Sequence, residues 1–211
     1  MKKIALFICL ILCIHQTLAQ KSKRKTTNKK KQVIENLDKR YNELSELSDK
    51  IWSYEEVAFR EYQSSEALAA YAENQGFRLT KGVGELPTAF IAEYGSGAPV
   101  IGIMGEFDGL PGLSQKAVPT KDPIHEGGAG HGCGHNLFGT ASLGAATAIK
   151  DLIEAGELKG TIRFYATPAE EKFFGKLWMI RAGLFDDVDV MMDWHPSAET
   201  KADVQSSLAL V

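Results

Sequence analysis

Cysteine is scarce in this chain. Of the three cysteines, Cys9 and Cys13 sit in an apolar run near the N-terminus, and Cys133 alone falls in the remaining sequence. If the N-terminal run is removed, no intrachain disulfide can form. A lone thiol in an exported protein is then open to oxidation unless it is buried or bound to something. A membrane-spanning stretch is also lacking. The run "IALFICLILCI" falls short of the ~20 residues that a bilayer-crossing helix needs. With the basic start Met1-Lys2-Lys3 before it and small residues near Ala19 after it, residues 1–20 read as a cleaved signal peptide. An uncleaved N-terminal anchor is the alternative. The signal reading places the protein outside the cytoplasm, periplasmic or secreted. No cysteine follows the expected cleavage point, which argues against a lipid-anchored form.

Acidic residues are missing from residues 1–31, which hold nine of the 24 Lys and Arg. The rest of the chain therefore carries 15 basic against 27 acidic side chains. "KSKRKTTNKKK" (21–31) reads as a basic, disordered leader on an acidic body, with contact to an anionic surface as the alternative. An acidic body argues against nucleic acid as the main partner. Internal repeats are absent, as is a glycine-rich phosphate loop of the usual spacing.

The patterns that are present alternate between helix and strand. Val33, Leu37, Tyr41, Leu44, Leu47 and Ile51 recur at helical steps, and "SSEALAAYAENQGF" (64–77) predicts a second helix ending at Gly76. "TAFIAEY" (88–94) and "PVIGIMGEF" (99–107) predict strands, with a Gly-Ser-Gly suited to a hairpin turn between them. "NLFGTASLGAATAIKDLIEAG" (136–156) predicts a helix whose small residues allow close packing on a sheet. A strand at 160–168, a helix at 174–185 and a strand at 187–196 complete the series. The expected fold is α/β, a largely parallel sheet flanked by helices. Ligands bind at the carboxyl ends of strands in such sheets. Asp108, Glu170-Glu171 and His195 all fall at predicted strand ends.

Three clusters carry chemistry. In "GGAGHGCGHN" (127–136), Cys133 and His135 are separated by one glycine. Thiolate and imidazole both suit zinc, and glycine lets the chain approach an ion closely. A nucleophilic cysteine with a histidine base, or a buried structural pair, fits the same pattern. In "TPAEEKFFGK", adjacent Glu170 and Glu171 have distinct orientations, so one can bind a metal while the other reaches its water. A solvated loop pair is the plain alternative. His195 in "DWHP" ends an apolar strand and draws its weight from the other two clusters.

"GHGCGHNLFGTASLGAA", "PAEE", "DDVDVMMDWHP" and "GIMGEFDGLPGLSQ" together resemble the aminoacylase-like dinuclear metallopeptidases and amidohydrolases. Within that family they are most similar to the aminobenzoyl-glutamate hydrolase B-subunit group. The resemblance runs from about Gln32 to the last residue. It implies a zinc-exopeptidase-like catalytic domain holding two divalent ions, zinc or manganese. It also implies metal ligation by Cys133, His135, Glu171 and His195, and general base and acid work by Glu170. Asp108 would orient the site, and His131 would be a contact to a ligand or to the substrate. The implied reaction is hydrolysis of an amide joining an acyl group to an amino acid, in a homodimer or hetero-oligomer.

The sequence departs from that family in two places. Lys172, Phe173 and Phe174 follow the glutamate pair where small glycine-rich residues are expected. The chain also ends at Val211, where relatives continue into a lid domain and a further histidine ligand. The expected organisation is residues 1–20 signal, 21–31 leader, 32–203 the N-terminal part of a catalytic domain, and 204–211 the opening of a truncated lid. A non-catalytic remnant that still binds metal is the alternative function.

Overall fold

The computed structural model describes residues 27–200; the expected signal peptide, most of the leader and the lid opening lie outside the described residues. Among the described residues, 32–200 form one compact unit. The helical N-terminal pattern is realised as two helices, α1 (Asn28–Lys39) and α2 (Tyr41–Tyr54), interrupted at Arg40. The stripe is continuous in sequence but not in burial. Leu47 and Ile51 are buried, whereas Tyr41 is exposed. Helix α3 (Tyr62–Asn74) follows and ends just before Gly76. Glu56 caps its start, accepting the backbone N–H groups of Gln63 and Ser64 at 2.9 and 2.8 Å. These are amides a helix leaves without an internal partner.

Strand β1 (Arg78–Lys81) and a short 3-10 turn (Val83–Glu85) lead into β2 (Phe90–Ser96) and β3 (Val100–Gly105). Helix α4 (His135–Glu154) connects to β4 (Gly160–Ala166). Two short helices, α5 (Glu170–Phe173) and α6 (Gly175–Arg181), precede the short strand β5 (Val190–Met192). β1 has too little apolar content to be seen in the sequence, since only Leu79 of its four residues points to the core.

The strand order is β1-β2-β4-β3-β5. The α/β class stands, but the sheet is mixed rather than largely parallel. β4, β3 and β5 run parallel, while β1–β2 and β2–β4 are antiparallel. The expected β2–β3 hairpin does not form, because β4 lies between the two strands. β4 is the most thoroughly buried strand, and the sheet centre is where its two apolar faces are both covered. Ile162, Phe164 and Ala166 face one core with Phe90, Ala92 and Ile103, covered by α2, α3 and α4. Tyr165 faces the opposite core with Val83, Leu86 and Met179. This alternation is the period of two that a pleated strand imposes.

The parallel trio sets the functional geometry. β3, β4 and β5 share one direction, so the segments leaving their carboxyl ends emerge on the same edge. Helix α4 must lie close to β3 for its first residue to reach that edge. Gly139 permits this approach: a Cβ there would sit 2.7 Å from the carbonyl oxygen of Glu106. Among the described residues, no helix is long and apolar enough to cross a membrane.

Gly139→Ala is expected to destabilise the protein, although alanine gains about 1 kcal/mol over glycine in a helix. Overpacking against backbone costs roughly 1–3 kcal/mol. Urea unfolding should show a lower midpoint; a raised midpoint would contradict the close helix–strand contact.

Candidate metal centre

Each site segment leaves a defined element. Glu106 and Asp108 follow β3 directly, and both are buried. Gly134, in the left-handed region at φ 82°, turns the chain so that His135 opens α4. Glu170 and Glu171 open α5 after Ala169, which is also left-handed at φ 58°. The pair, read at a strand end, lies just past β4 in one turn of helix. His195 follows β5 and is exposed, while Cys133 is half-buried.

Asp108 joins two of these segments. Its Oδ1 lies 3.1 Å from Nδ1 of His135, and its Oδ2 accepts the backbone N–H of Glu171 at 3.0 Å. The main-chain carbonyl of Asp108 also lies 3.1 Å from the same Nδ1. His135 Nδ1 therefore carries the proton, and Nε2 presents its lone pair. Glu106 Oε2 lies 2.9 Å from Nε2 but out of line for a hydrogen bond, so this nitrogen is buried without a hydrogen-bond partner. His195 repeats the arrangement. Its Nδ1 donates to the Pro196 carbonyl at 2.8 Å, and its Nε2 lies 3.3 Å from Cys133 Sγ. The two rings stand edge to face, with centroids 5.6 Å apart.

The possible ligand atoms form two groups around one ring. Cys133, His135 and His195 make the first; Glu106, His135 and Glu170 make the second. Within each group the atoms lie within 4.8 Å of one another. Glu171 stands outside both groups, with Oε1 3.8 Å from His135 Nδ1, buried and without a hydrogen-bond partner. Glu170, read from the resemblance as base and acid, thus falls among possible ligands, and Glu171, read as a ligand, stands beside them. His131 is in neither group. Its Nε2 meets the Ile51 carbonyl at 3.2 Å in the last turn of α2, and burial pushes its imidazole down to about 4. It ties the Cys133 loop to that helix as a neutral ring.

Glu106 was not singled out in the sequence. The signal available was its place two residues before Asp108 in "GEFD", since alternate residues of extended chain share a side. Its Oε1 pairs with Lys176 Nζ of α6.

The charge balance of the site is negative. Burial, then the charges of Asp108 and Glu170, hold the Glu171 carboxyl above its ordinary range against the pull of His135. Burial raises the Cys133 thiol, and the Glu171 charge adds to it. Burial alone would lower His135, but the Asp108 hydrogen bond and charge outweigh it and raise the ring. Carboxylates gathered in a dry site need a cation. An orphaned imidazole nitrogen, an orphaned carboxylate oxygen and a thiol at the same place supply the donors that zinc or manganese takes. An imidazole whose other nitrogen is held by a carboxylate is the usual state of a metal-binding histidine. The residues present therefore fit a divalent metal centre.

Zinc titrated into the full chain should bind with His135 in its first coordination shell, and Asp108→Asn should weaken it about 10–100-fold. Calorimetry showing equal affinity in the two proteins would remove Asp108 from this role.

Comparisons with known proteins agree with the geometry. The family model described as Peptidase family M20/M25/M40 matches residues 102–207. The B-subunit of the p-aminobenzoyl-glutamate hydrolase of Escherichia coli is 46% identical over 173 residues, covering 77% of this chain and 36% of that protein. The Xaa-Arg dipeptidase of Mus musculus is 31% identical over 185 residues, covering 82% and 39%. A solved structure from Bacillus subtilis, described as a dinuclear metal binding peptidase from the M20 family, superposes with a TM-score of 0.59 at 30% identity, covering 73% and 43%. A putative aminohydrolase from methicillin-resistant Staphylococcus aureus shares the fold with a TM-score of 0.67, at 24% identity, covering 78% and 42%. The chain spans about two fifths of the length of these proteins. With its motifs, its fold and its donor set in agreement, the chain belongs to the M20/M25/M40 peptidase family.

Proposed function

We propose that this chain carries the hydrolytic half-site of a metal-dependent amidohydrolase. Its substrate class is an acyl group joined by an amide to an amino acid, of the aminobenzoyl-glutamate or N-acyl-amino-acid kind. The observation that carries the reading is the pair of imidazoles, each with Nδ1 tied to an oxygen acceptor and Nε2 turned to the cluster. Cys133, His135, His195 and Glu171 would hold the ions, with Glu106 beside His135 as a further donor. A divalent pair, when bound, supplies Lewis acidity toward the carbonyl and makes water acidic enough to ionise near neutral pH.

The chain's own residues do the remaining work. Glu170 is half-buried beside the donor cluster and can take a proton from water and return it to the departing amine nitrogen. Asp108 keeps the His135 ring in one tautomer and anchors the Glu171 backbone, so these two groups keep fixed relative positions. Lys176 holds Glu106 from the α6 side. The similarity to the p-aminobenzoyl-glutamate hydrolase of Escherichia coli supports the substrate class. The basic, apolar start of the sequence supports export as part of the same proposal.

The Cys133–His195 contact also suits a cysteine nucleophile with a histidine base. Such cysteines need electropositive surroundings that lower the thiol pKa. Here burial and the neighbouring Glu171 and Glu170 raise it, which favours the metal reading.

Glu170→Gln should lower kcat on an acyl-amino acid by about 10²–10⁴-fold, the range for losing a general acid–base, with bound metal retained. Unchanged turnover would sink the assignment. Activity that resists chelators and disappears on alkylation of Cys133 would replace it with the cysteine mechanism.

A further inference from the structure

One buried carboxylate has no part in the donor cluster. Glu61 stands at the start of α3 and is fully buried. One of its oxygens accepts the backbone N–H of Ala169 at 2.8 Å. The other accepts the hydroxyl of Thr88 at 3.1 Å. Ala169 is itself fully buried, and it lies beyond the last residue of β4, so no strand ladder supplies an acceptor for its amide. A buried backbone N–H must be paired with something, and Glu61 is what it meets.

The backbone that this bond holds is unusual. Ala169 is left-handed, a conformation that side chains with a Cβ seldom adopt. Of five non-glycine residues with positive φ among those described, four lie on two segments that touch through Glu61–Ala169 and Phe59–Phe173: Glu55 and Phe59 on one, Ala169 and Phe174 on the other. Strain of this kind gathers at functional sites and persists only where the surroundings hold it. The holding contacts are visible. The Phe59 ring stacks on Phe173 with centroids 4.8 Å apart, and the Glu56 carbonyl accepts the Gly109 N–H at 2.7 Å. Segment 55–61 thus grips the chain on both sides of the site, after Asp108 and around Glu170-Glu171. Burial raises the Glu61 carboxyl to about 7, against backbone hydrogen bonds that lower it, and the Asp108 charge raises it further. A carboxylate that is costly to bury is kept here by the bonds it makes.

We propose that Glu61 is a positioning residue of the hydrolytic site: through the Ala169 amide it fixes the turn that aims Glu170 and Glu171. Its kinetic consequence rests on the proposed function, whereas its effect on the Ala169 turn does not. Glu61 touches no donor atom of the cluster. It acts through one backbone hydrogen bond, so an acceptor of the same shape should replace it and an apolar group of similar size should not.

The test compares Glu61→Gln with Glu61→Leu in the full chain with zinc bound. Three quantities are read: hydrogen exchange at the Ala169 amide, zinc affinity, and kcat and KM on an acyl-amino acid. Glu61→Leu should speed Ala169 exchange, weaken zinc binding, and lower kcat about 10–100-fold with KM little changed. Glu61→Gln, whose amide oxygen still accepts the Ala169 N–H, should keep most of all three. Glu61→Leu with wild-type exchange, affinity and kcat would overturn the proposal. Equal losses in both variants would also overturn it, since they would show that an acceptor at this position is not what matters. If the wild-type protein hydrolyses no amide, the proposed function fails. Exchange and zinc affinity then still decide the role of Glu61, with the same expected and overturning results.

Discussion

The arrangement of this site depends on the buried carboxylate of Asp108. One oxygen holds the His135 ring and the other holds the Glu171 backbone, so the start of α4 and the start of α5 are tied to the end of β3. A carboxylate that accepts from both sides in a dry environment is strongly directional. It sets the tautomer of His135 and thereby leaves Nε2 facing the cluster. Without it, the His135 ring and the Glu171 backbone would lose the acceptor they share.

The sheet topology makes that tie possible. β4, β3 and β5 run parallel, so three separate stretches of sequence deliver Glu170, Glu106 with Asp108, and His195 to one edge. Close approach at Gly139 brings α4 down onto β3. The result is a cluster with several acids and few cations, where Lys176 pairs with Glu106. A divalent ion would relieve that imbalance and give the orphaned Nε2 of His135 a partner.

Much of this was legible in the sequence, and the limits have physical causes. Cys133 and His135 could be read because one short motif contains both. Glu170-Glu171 and His195 could be read because each ends a strong apolar run. Glu106 escaped notice because it falls inside the apolar strand pattern of residues 99–107, whereas Asp108 stands just past its end. Glu61 could not be found locally, since its partner Ala169 is 108 positions away. Helix α4 was legible nearly to the residue, whereas α5 was not seen and the helix read over 174–185 ends at Arg181. Pairing was not: a glycine-rich turn between β2 and β3 signals a hairpin, but the choice of neighbour is made by β4, which is buried on both faces and takes the space between them. The split of the N-terminal helix at Arg40 was also invisible, because a helical stripe does not reveal which of its members find a core.

The most direct measurement is anomalous diffraction at the zinc edge from crystals of the zinc-loaded protein. Anomalous peaks are expected with His135 Nε2 about 2.0–2.1 Å away and Cys133 Sγ about 2.3 Å away, the distances usual for zinc, beside the Glu170-Glu171 turn. Peaks confined to other surface residues, with Cys133, His135 and His195 unliganded, would contradict a metal centre at this edge of the sheet.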